Sequence, residues 1–200
     1  MSSPRRMGAE QSEMRERLLD LAEKVLMQEG YAAVGVRRLA READVTPALV
    51  HYYFRTLDDL LVALFRRRAE GDFARQVEAL KSADPLRTLW EWWSRPAQAS
   101  MTVEFLAMAN HREAVRAELA VYAERHRAFQ AEALERIFAE RGGAPHGMPA
   151  VSVVVLLVAV SRSLAVERAL GVEAGHAEIL GLVERFIRES GTDSRTAGGG

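Results

Sequence analysis

The chain has 200 residues, a formal net charge of −1 and no cysteine. Without cysteine, disulfides, thiolate metal ligands and a cysteine nucleophile are excluded. The hydrophobic share of 48% is enough for a packed core. The balanced charge neither indicates nor excludes a nucleic-acid partner, because a local basic face can lie on a neutral body.

The N-terminal residues 1–11 are polar and lack apolar periodicity, so a disordered arm is predicted there. They also lack the apolar stretch of a signal sequence, which favours a cytoplasmic protein. The longest apolar run, Val151–Val160, is shorter than the roughly 18 residues that suggest a membrane span. No membrane partner is therefore expected.

A first helix is predicted from Ser12 to Glu29, because apolar residues recur there every three or four positions. A second helix is predicted over Val36–Ala43 and a third over Pro47–Tyr53. Thr46 suits the N-cap of the third helix, and proline is favoured in a first turn. Two short helices joined by a tight turn are typical of a helix-turn-helix, whose second helix enters the DNA major groove.

The rest of the chain predicts further helices separated by glycine and proline breaks. Thr56 and Asp59 form a reciprocal cap for a fourth helix, and five more follow. We therefore expect an all-α fold of about nine helices: an N-terminal three-helix helix-turn-helix head and a larger helical body for ligand binding and dimerisation. The predicted divisions are a disordered arm at 1–11, a DNA-binding domain at 12–56, a ligand-binding and dimerisation domain at 57–190, and a disordered tail at 191–200.

The helix-turn-helix segment closely resembles the N-terminal DNA-binding domain of TetR-family transcriptional regulators. The residues that carry the resemblance are Gly30-Tyr31, Val36–Ala43, Val45–Phe54, Thr56 and Asp58–Leu61. The resemblance implies a homodimer with an all-helical, ligand-binding body. It implies that the dimer binds a palindromic operator in double-stranded DNA as a repressor, and that an apolar or aromatic small-molecule effector releases it.

The resemblance also assigns the DNA-contacting residues. These are Arg37, Arg38, Thr46, Pro47, Ala48, His51, Tyr52, Tyr53, Arg55 and Thr56. Thr46, Tyr52 and Tyr53 match positions that bond the DNA backbone, the three arginines suit phosphates, and Pro47, Ala48 and His51 match positions that face bases. Leu57 departs from the family pattern, because a lysine that touches phosphate is frequent there.

Aromatic, methionine and histidine side chains in the body are consistent with an ordinary core and with an apolar ligand pocket. The residues assigned to the predicted pocket are Trp90, Trp93, Met101, Phe105, Met108, Tyr122, His126 and Phe129. Glu104 lies in an apolar stretch, where it would pair with a cationic ligand, pair with an arginine such as Arg162, or face water.

The stretch Val151–Leu170 is too apolar for a surface helix. The resemblance implies that the last two helices pair across a two-fold axis into a four-helix bundle. The predicted interface residues are Val154, Val155, Val158, Ser161, Leu180, Val183 and Phe186.

No metal or other cofactor and no enzymatic activity are expected. Glu173 and His176 have the spacing of a di-metal carboxylate motif, but such sites need a second copy and two more glutamates. Nucleophile-elbow, phosphate-loop and dinucleotide motifs are absent from the sequence. The alternative functions are a small-molecule carrier or enzyme with a vestigial DNA-binding head, and an adaptor whose Thr46–Tyr53 surface meets a protein.

Overall fold

A computed structural model describes residues 4–191, except the side chains of residues 4–11, 96–99, 145 and 191. The described residues form nine α-helices, which confirms the predicted all-α class. The helices are α1 Pro4–Glu29, α2 Val36–Glu42, α3 Pro47–Tyr53, α4 Leu57–Ala79, α5 Pro85–Trp93, α6 Pro96–His111, α7 Glu113–Glu140, α8 Ala150–Ala169 and α9 His176–Gly191. The predicted disordered tail lies outside the described residues, apart from Gly191 at the end of α9.

The chain divides into two compact units. The first unit comprises residues 1–70 and 103–120, and the second comprises residues 71–102 and 121–200. Each unit therefore takes part of α4, α6 and α7. The first unit contains the predicted DNA-binding head, and the second contains α5, α8 and α9.

Helix α1 starts earlier than the apolar pattern predicts. It begins at Pro4 rather than Ser12, so residues 4–11 of the predicted disordered arm are helical. Proline is favoured in the first turn, and this segment contains methionine, alanine, glutamate and glutamine, which are strong helix formers. The apolar stripe begins only at Leu18, which is why periodicity misses the first two turns. Residues 1–3 of the predicted arm lie outside the described part.

A carboxylate from α6 caps the segment that follows α1. The Tyr31 backbone N–H donates a 3.0 Å hydrogen bond to Glu104 Oε2, and the Tyr31 ring stacks on His111 with centroids 6.1 Å apart. Gly30 has a φ of 80°, and a Cβ there would lie 3.6 Å from the same carboxylate. Glu104 therefore pairs with a backbone amide, a partner outside the three predicted alternatives.

Ion pairs fix α4 against the other helices of the first unit. Arg66 donates two hydrogen bonds of 2.7 Å to Glu118 on α7, and this pairing lowers the pKa of that carboxyl. Arg112, between α6 and α7, pairs with Asp58 in the first turn of α4. These contacts join helices distant in sequence, so they hold the start of α4 in place.

The hydrophobic core of the second unit is built from α5, α8 and α9 with the C-terminal part of α7. Asp84 caps α5, because its side chain accepts a 3.3 Å hydrogen bond from the Arg87 backbone N–H. Arg87 also pairs with Glu184 on α9 at 3.0 Å. The buried core residues include Leu86, Leu89, Trp90, Trp93, Leu134, Phe138, Val153, Leu157, Leu164 and Ile187.

Helix α8 is apolar on two faces. One face packs into the core through Val153, Val154 and Leu157, while Val151, Val155 and Leu156 remain exposed. Among the described residues, α8 is the single helix that is long and apolar enough to cross a membrane by length and composition. The helix is longer than the apolar run Val151–Val160, because residues Ser161 to Ala169 continue the helix beyond that run.

Candidate nucleic-acid interface

Helices α2 and α3 pack on each other through small and branched side chains. Leu39, Ala40 and Val50 are buried, and the small Ala40 lets the two helices approach closely. Asp44 has a φ of 55° at the turn between them, in the left-handed region that aspartate tolerates better than most residues. The Val45 N–H then donates a 2.9 Å hydrogen bond to the Ala40 carbonyl. This turn fixes the direction in which α3 leaves α2.

The ends of α3 agree with the sequence prediction. Thr46 is the N-cap, and its hydroxyl accepts a 3.3 Å hydrogen bond from the Leu49 N–H. Pro47 occupies the first turn, and the Phe54 N–H closes the last turn on the Val50 carbonyl at 2.9 Å. The third helix thus has the predicted bounds and capping, while α2 ends at Glu42, one residue before the predicted Ala43.

One face of α3 is exposed. Pro47, Ala48, His51 and Tyr52 all lie on it, and the side chain of Tyr52 is 65% exposed. Tyr53 is half-buried and meets the Tyr52 ring edge to face, with centroids 5.2 Å apart. The structure therefore brings the predicted base-facing residues together on the outer surface of α3.

The imidazole of His51 is oriented by the backbone. Its Nδ1 lies 3.2 Å from the carbonyl oxygen of Arg55. A carbonyl only accepts, so Nδ1 carries the proton and the Nε2 of the neutral ring is an acceptor. In that state His51 suits a base amino group such as that of adenine or cytosine.

The arginines near α3 fall into two groups. Arg37 and Arg55 are exposed and have no ion-pair partner among the described residues. Arg38 instead pairs with Glu29 and Glu42, and its guanidinium lowers the pKa of the Glu29 carboxyl. Arg38 therefore links α2 to α1, and a phosphate contact would require breaking these pairs.

Side chains at the start of α4 cap its first N–H groups and place negative charge at the positive end of the helix dipole. The Thr56 N–H donates to Asp59 and the Asp59 N–H donates to the Thr56 hydroxyl, each at 3.0 Å, which confirms the predicted reciprocal cap. Asp58 and Asp59 both lie in the first turn, and Leu57 is half-buried. Two carboxylates at this helix end disfavour a phosphate there.

The predicted ligand-binding residues are distributed over both units. Phe105 and Met108 are buried in the first unit, where Phe105 meets Phe65 edge to face at 5.0 Å. Trp90 and Trp93 pack in the hydrophobic core of the second unit, and Met101 is also buried. The remaining three, Tyr122, His126 and Phe129, come together on α7.

An aromatic cluster surrounds His126 in the second unit. The His126 ring lies 3.7 Å from the centroid of Tyr122 and 4.9 Å from that of Phe73 on α4, and Phe73 in turn meets Phe129 at 4.8 Å. The pKa of His126 is lowered to about 4, chiefly by burial and also by the nearby Arg125, while Asp72 opposes the shift. His126 is therefore neutral near pH 7.

We expect His126 to make the stability of the protein depend on pH. Its pKa of about 4 in the folded state lies below the ordinary value of 6.5, so the unfolded chain binds more protons between these values. The stability that neutral His126 contributes is fully present above its ordinary pKa. It decreases as the pH falls towards the folded-state pKa, and about 2 kcal/mol of it is lost at roughly pH 5. Urea denaturation at several pH values measures this loss. The control is His126→Phe, and an equal loss in that variant would contradict the assignment.

Two polar residues of this region were missed by sequence reasoning. Gln76 on α4 and Gln130 on α7 are buried beside His126. The helix spacing could have placed them on the buried face, because Gln76 lies four residues after buried Asp72, and Gln130 lies four residues after buried His126. Polar residues at core-facing positions are unusual enough to mark a site.

A separate cavity of about 230 Å³ lies near the end of α8 and the start of α9. The side chains of Ser163, Glu167 and His176 line it, and His176 Nε2 lies 2.8 Å from Glu167 Oε2. Within the described part of the chain, no three histidine or acidic residues group as metal ligands would. None of the predicted ligand-binding residues lines this cavity.

The predicted dimer residues divide by burial. Val154, Ser161 and Val183 are buried within the subunit, while Val158, Leu180 and Phe186 are half-buried. Val155 is exposed, as are residues not assigned to the interface. These additional exposed apolar residues on α8, α9 and their connection are Val151, Leu156, Val166, Leu170, Val172 and Leu182.

Known proteins resemble this chain in its helix-turn-helix and in its fold. The family profile described as bacterial regulatory proteins, tetR family, matches residues 18–64. The HTH-type transcriptional regulator BetI of Rhizobium meliloti (strain 1021) is 34% identical over 127 residues, which cover 64% of this chain and 59% of that protein. The chain thus spans about three fifths of the length of the BetI proteins that it matches.

Two solved structures share the fold. A protein from Saccharomonospora viridis in complex with choline superposes with a TM-score of 0.70 at 22% identity, over 90% of this chain and 94% of that chain. The multidrug binding protein EbrR in complex with imidazole superposes with a TM-score of 0.60 at 28% identity, over 86% and 93% of the respective chains. The likeness therefore extends beyond the helix-turn-helix to most of the fold.

Proposed function

Since the chain belongs to the TetR family of bacterial regulatory proteins, we propose that it is a cytoplasmic, ligand-responsive repressor of transcription that binds a palindromic operator as a homodimer. The observation that carries this proposal is the exposed face of α3, with Pro47, Ala48, His51 and Tyr52 on a capped helix. An exposed recognition helix with few charged groups reads bases by short contacts and leaves affinity to phosphate-binding residues around it.

The proposed contacts follow the chemistry of this face. His51 accepts from a base amino group, and Pro47 and Ala48 offer apolar contact to a thymine methyl. Tyr52, Tyr53 and Thr46 bond the DNA backbone, as the family resemblance implies. Arg37 and Arg55 neutralise phosphates, because neither is held by a carboxylate among the described residues, whereas Arg38 mainly braces α2.

The proposed dimer uses α8 and α9, but through exposed residues. Side chains that already pack within a subunit are unavailable to a partner. The proposed interface therefore keeps Val155 of the predicted set, adds Leu156 and Leu182, and leaves out Val154, Ser161 and Val183. Leu156 is 52% exposed and Leu182 is 53% exposed, which is unusual for leucines on adjoining helices of a soluble protein. Pairing these faces across a two-fold axis would remove them from water.

The proposed effector is an apolar or aromatic small molecule bound in the helical body. The choline and imidazole complexes of the two structural relatives support a small-molecule ligand as a class. A ligand that prefers the conformation unable to bind DNA by about 3 kcal/mol would lower operator affinity roughly 150-fold. That differential affinity is all that release of the repressor requires.

A gel-shift titration with the DNA upstream of the protein's own gene tests the proposal. We expect a discrete complex on a fragment that contains an inverted repeat, and a much weaker one when both half-sites are scrambled. Each phosphate contact adds about one unit to the slope of log affinity against log salt, so Arg37→Ala and Arg55→Ala should each reduce that slope by about one. Equal binding to intact and scrambled repeats would overturn the proposed regulator.

A further inference from the structure

The cavity at the end of α8 and the start of α9 combines an apolar wall with one acidic side chain. Its apolar lining includes Val160, Leu164 and Ile179, and its polar lining is Ser163, Glu167 and His176. The volume of about 230 Å³ lies below the roughly 300–1,000 Å³ of pockets for drug-sized ligands. The cavity therefore suits a small molecule that is polar at one end.

The carboxylate of Glu167 is held by two neighbours. Its Oε1 accepts a 3.1 Å hydrogen bond from the Ser163 hydroxyl, and its Oε2 lies 2.8 Å from Nε2 of His176, whose ring is buried. A carboxylate only accepts, so Nε2 carries a proton. The hydrogen bonds from His176 and Ser163 lower the pKa of the Glu167 carboxyl, which is therefore ionised near pH 7.

The charge and the acceptor capacity of Glu167 are only partly matched. An ionised carboxylate offers about four acceptor positions, of which Ser163 and His176 occupy two. Among the described residues, no arginine or lysine pairs with Glu167. The segment 167–178 contains three glutamates and one arginine, and the positive end of the α9 dipole adds only about half a charge. This balance stays negative even when the imidazole of His176 is charged, so the cavity favours a cation.

The lining also selects the kind of cation. A quaternary ammonium ion has no N–H to donate and is recognised by aromatic faces, whereas no phenylalanine, tyrosine or tryptophan of the described residues lines the cavity. A bound metal ion needs more protein ligands, and no third histidine or acidic residue of the described part joins His176 and Glu167. A primary ammonium group has three N–H donors, which suit the remaining acceptor positions of Glu167.

We propose that this cavity binds a small primary alkylammonium ion, with Glu167 accepting from the ammonium group and the apolar wall packing against the alkyl chain. Ser163 and His176 orient the carboxylate. None of the predicted effector-binding residues lines the cavity, so this site goes beyond the proposed function and does not depend on it.

An NMR titration of the full chain with n-butylammonium tests the assignment. We expect the backbone amide signals of Gly175 and His176 to shift, with a dissociation constant below about 1 mM. The matched probes are 1-butanol, which lacks the charge, and choline, which lacks the N–H donors. Each should bind at least about tenfold more weakly, because charge-assisted hydrogen bonds are lost. Binding of 1-butanol or choline that equals or exceeds that of n-butylammonium would overturn the proposal.

One pair of variants tests the charge of Glu167. Glu167→Gln keeps the size of the side chain and removes its charge, so n-butylammonium binding should weaken at least about tenfold. Glu178→Gln makes the same change at an exposed position of α9 outside the lining. It should bind within about twofold of the wild type, because solvent and salt screen exposed charges. Equal losses in both variants would attribute the binding to general negative charge and reject the site.

A second pair of variants tests the cavity itself and leaves the carboxylate in place. Ala174 lines the cavity and is exposed, so Ala174→Phe should fill the space without disturbing the core. We expect at least about tenfold weaker binding in this variant, and wild-type binding in Ala177→Phe, at an exposed alanine outside the lining. Undiminished binding in Glu167→Gln and Ala174→Phe would place the ammonium ion elsewhere. Gel shifts on the same chain test the proposed regulator separately, so the failure of one proposal is distinguishable from the failure of the other.

Discussion

The double variant His51→Ala/Tyr52→Ala loses specific operator binding while the protein remains folded. His51 presents Nε2 outward because its Nδ1 is held by the Arg55 carbonyl, and Tyr52 is 65% exposed on the same face of α3. A good base contact contributes about 1–3 kcal/mol of discrimination, so the two changes together should weaken specific binding roughly 100-fold or more. A gel shift with the inverted repeat measures the effect.

The control measurements separate contact from folding. Neither side chain is buried, so the melting temperature should stay close to that of the wild type. Tyr52→Phe keeps the ring against Tyr53 and removes only the hydroxyl, so it should show a smaller loss. Normal operator binding by the double variant would remove α3 as the recognition helix.

The helix-turn-helix can be predicted from the sequence because the bounds of its helices depend on interactions between residues close together in the chain. The Thr46 cap and Pro47 fix the start of α3, and the positive φ of Asp44 fixes the turn before it. The reciprocal cap of Thr56 and Asp59 is also local. Each feature involves residues at most three positions apart, and such interactions survive changes in the surrounding fold.

The contacts that depend on tertiary packing were not predictable. Glu104 meets a backbone N–H 73 residues away in sequence, and nothing in an apolar stretch signals that partner. Arg38 appears as an exposed arginine in the sequence, yet two carboxylates hold it. The buried positions of Gln76 and Gln130 can be inferred only when their places on the helices are compared with those of buried neighbours. Side-chain type fixes what a residue can bind, but its partner is set by helix packing.

Helix α8 shows the limit of periodicity most clearly. Its sequence is apolar nearly all round, so spacing cannot decide which side packs within the subunit. The structure assigns Val153, Val154 and Leu157 to the core. Knowing which residues of α8 are buried within the subunit identifies the exposed residues that remain available for a dimer interface.

We expect Leu156→Glu to convert the proposed dimer into monomers. Leu156 is 52% exposed in the single subunit, so the change leaves the subunit core intact. Burial of one leucine contributes about 1.5–3 kcal/mol, and a symmetric interface loses two copies, so dimer dissociation should be at least about a hundredfold easier. Sedimentation velocity over a concentration series measures this change.

The same variant should also lose most operator binding, because a single subunit reaches only one half-site of a palindrome. Val121→Glu, at a valine that is 67% exposed on α7, is the matched control for adding a charge to an apolar surface position. It should remain dimeric and bind DNA normally. A stable dimer of Leu156→Glu would place the interface away from the exposed face of α8, whereas dimer loss in both variants would show that added charge, and not this face, causes the dissociation.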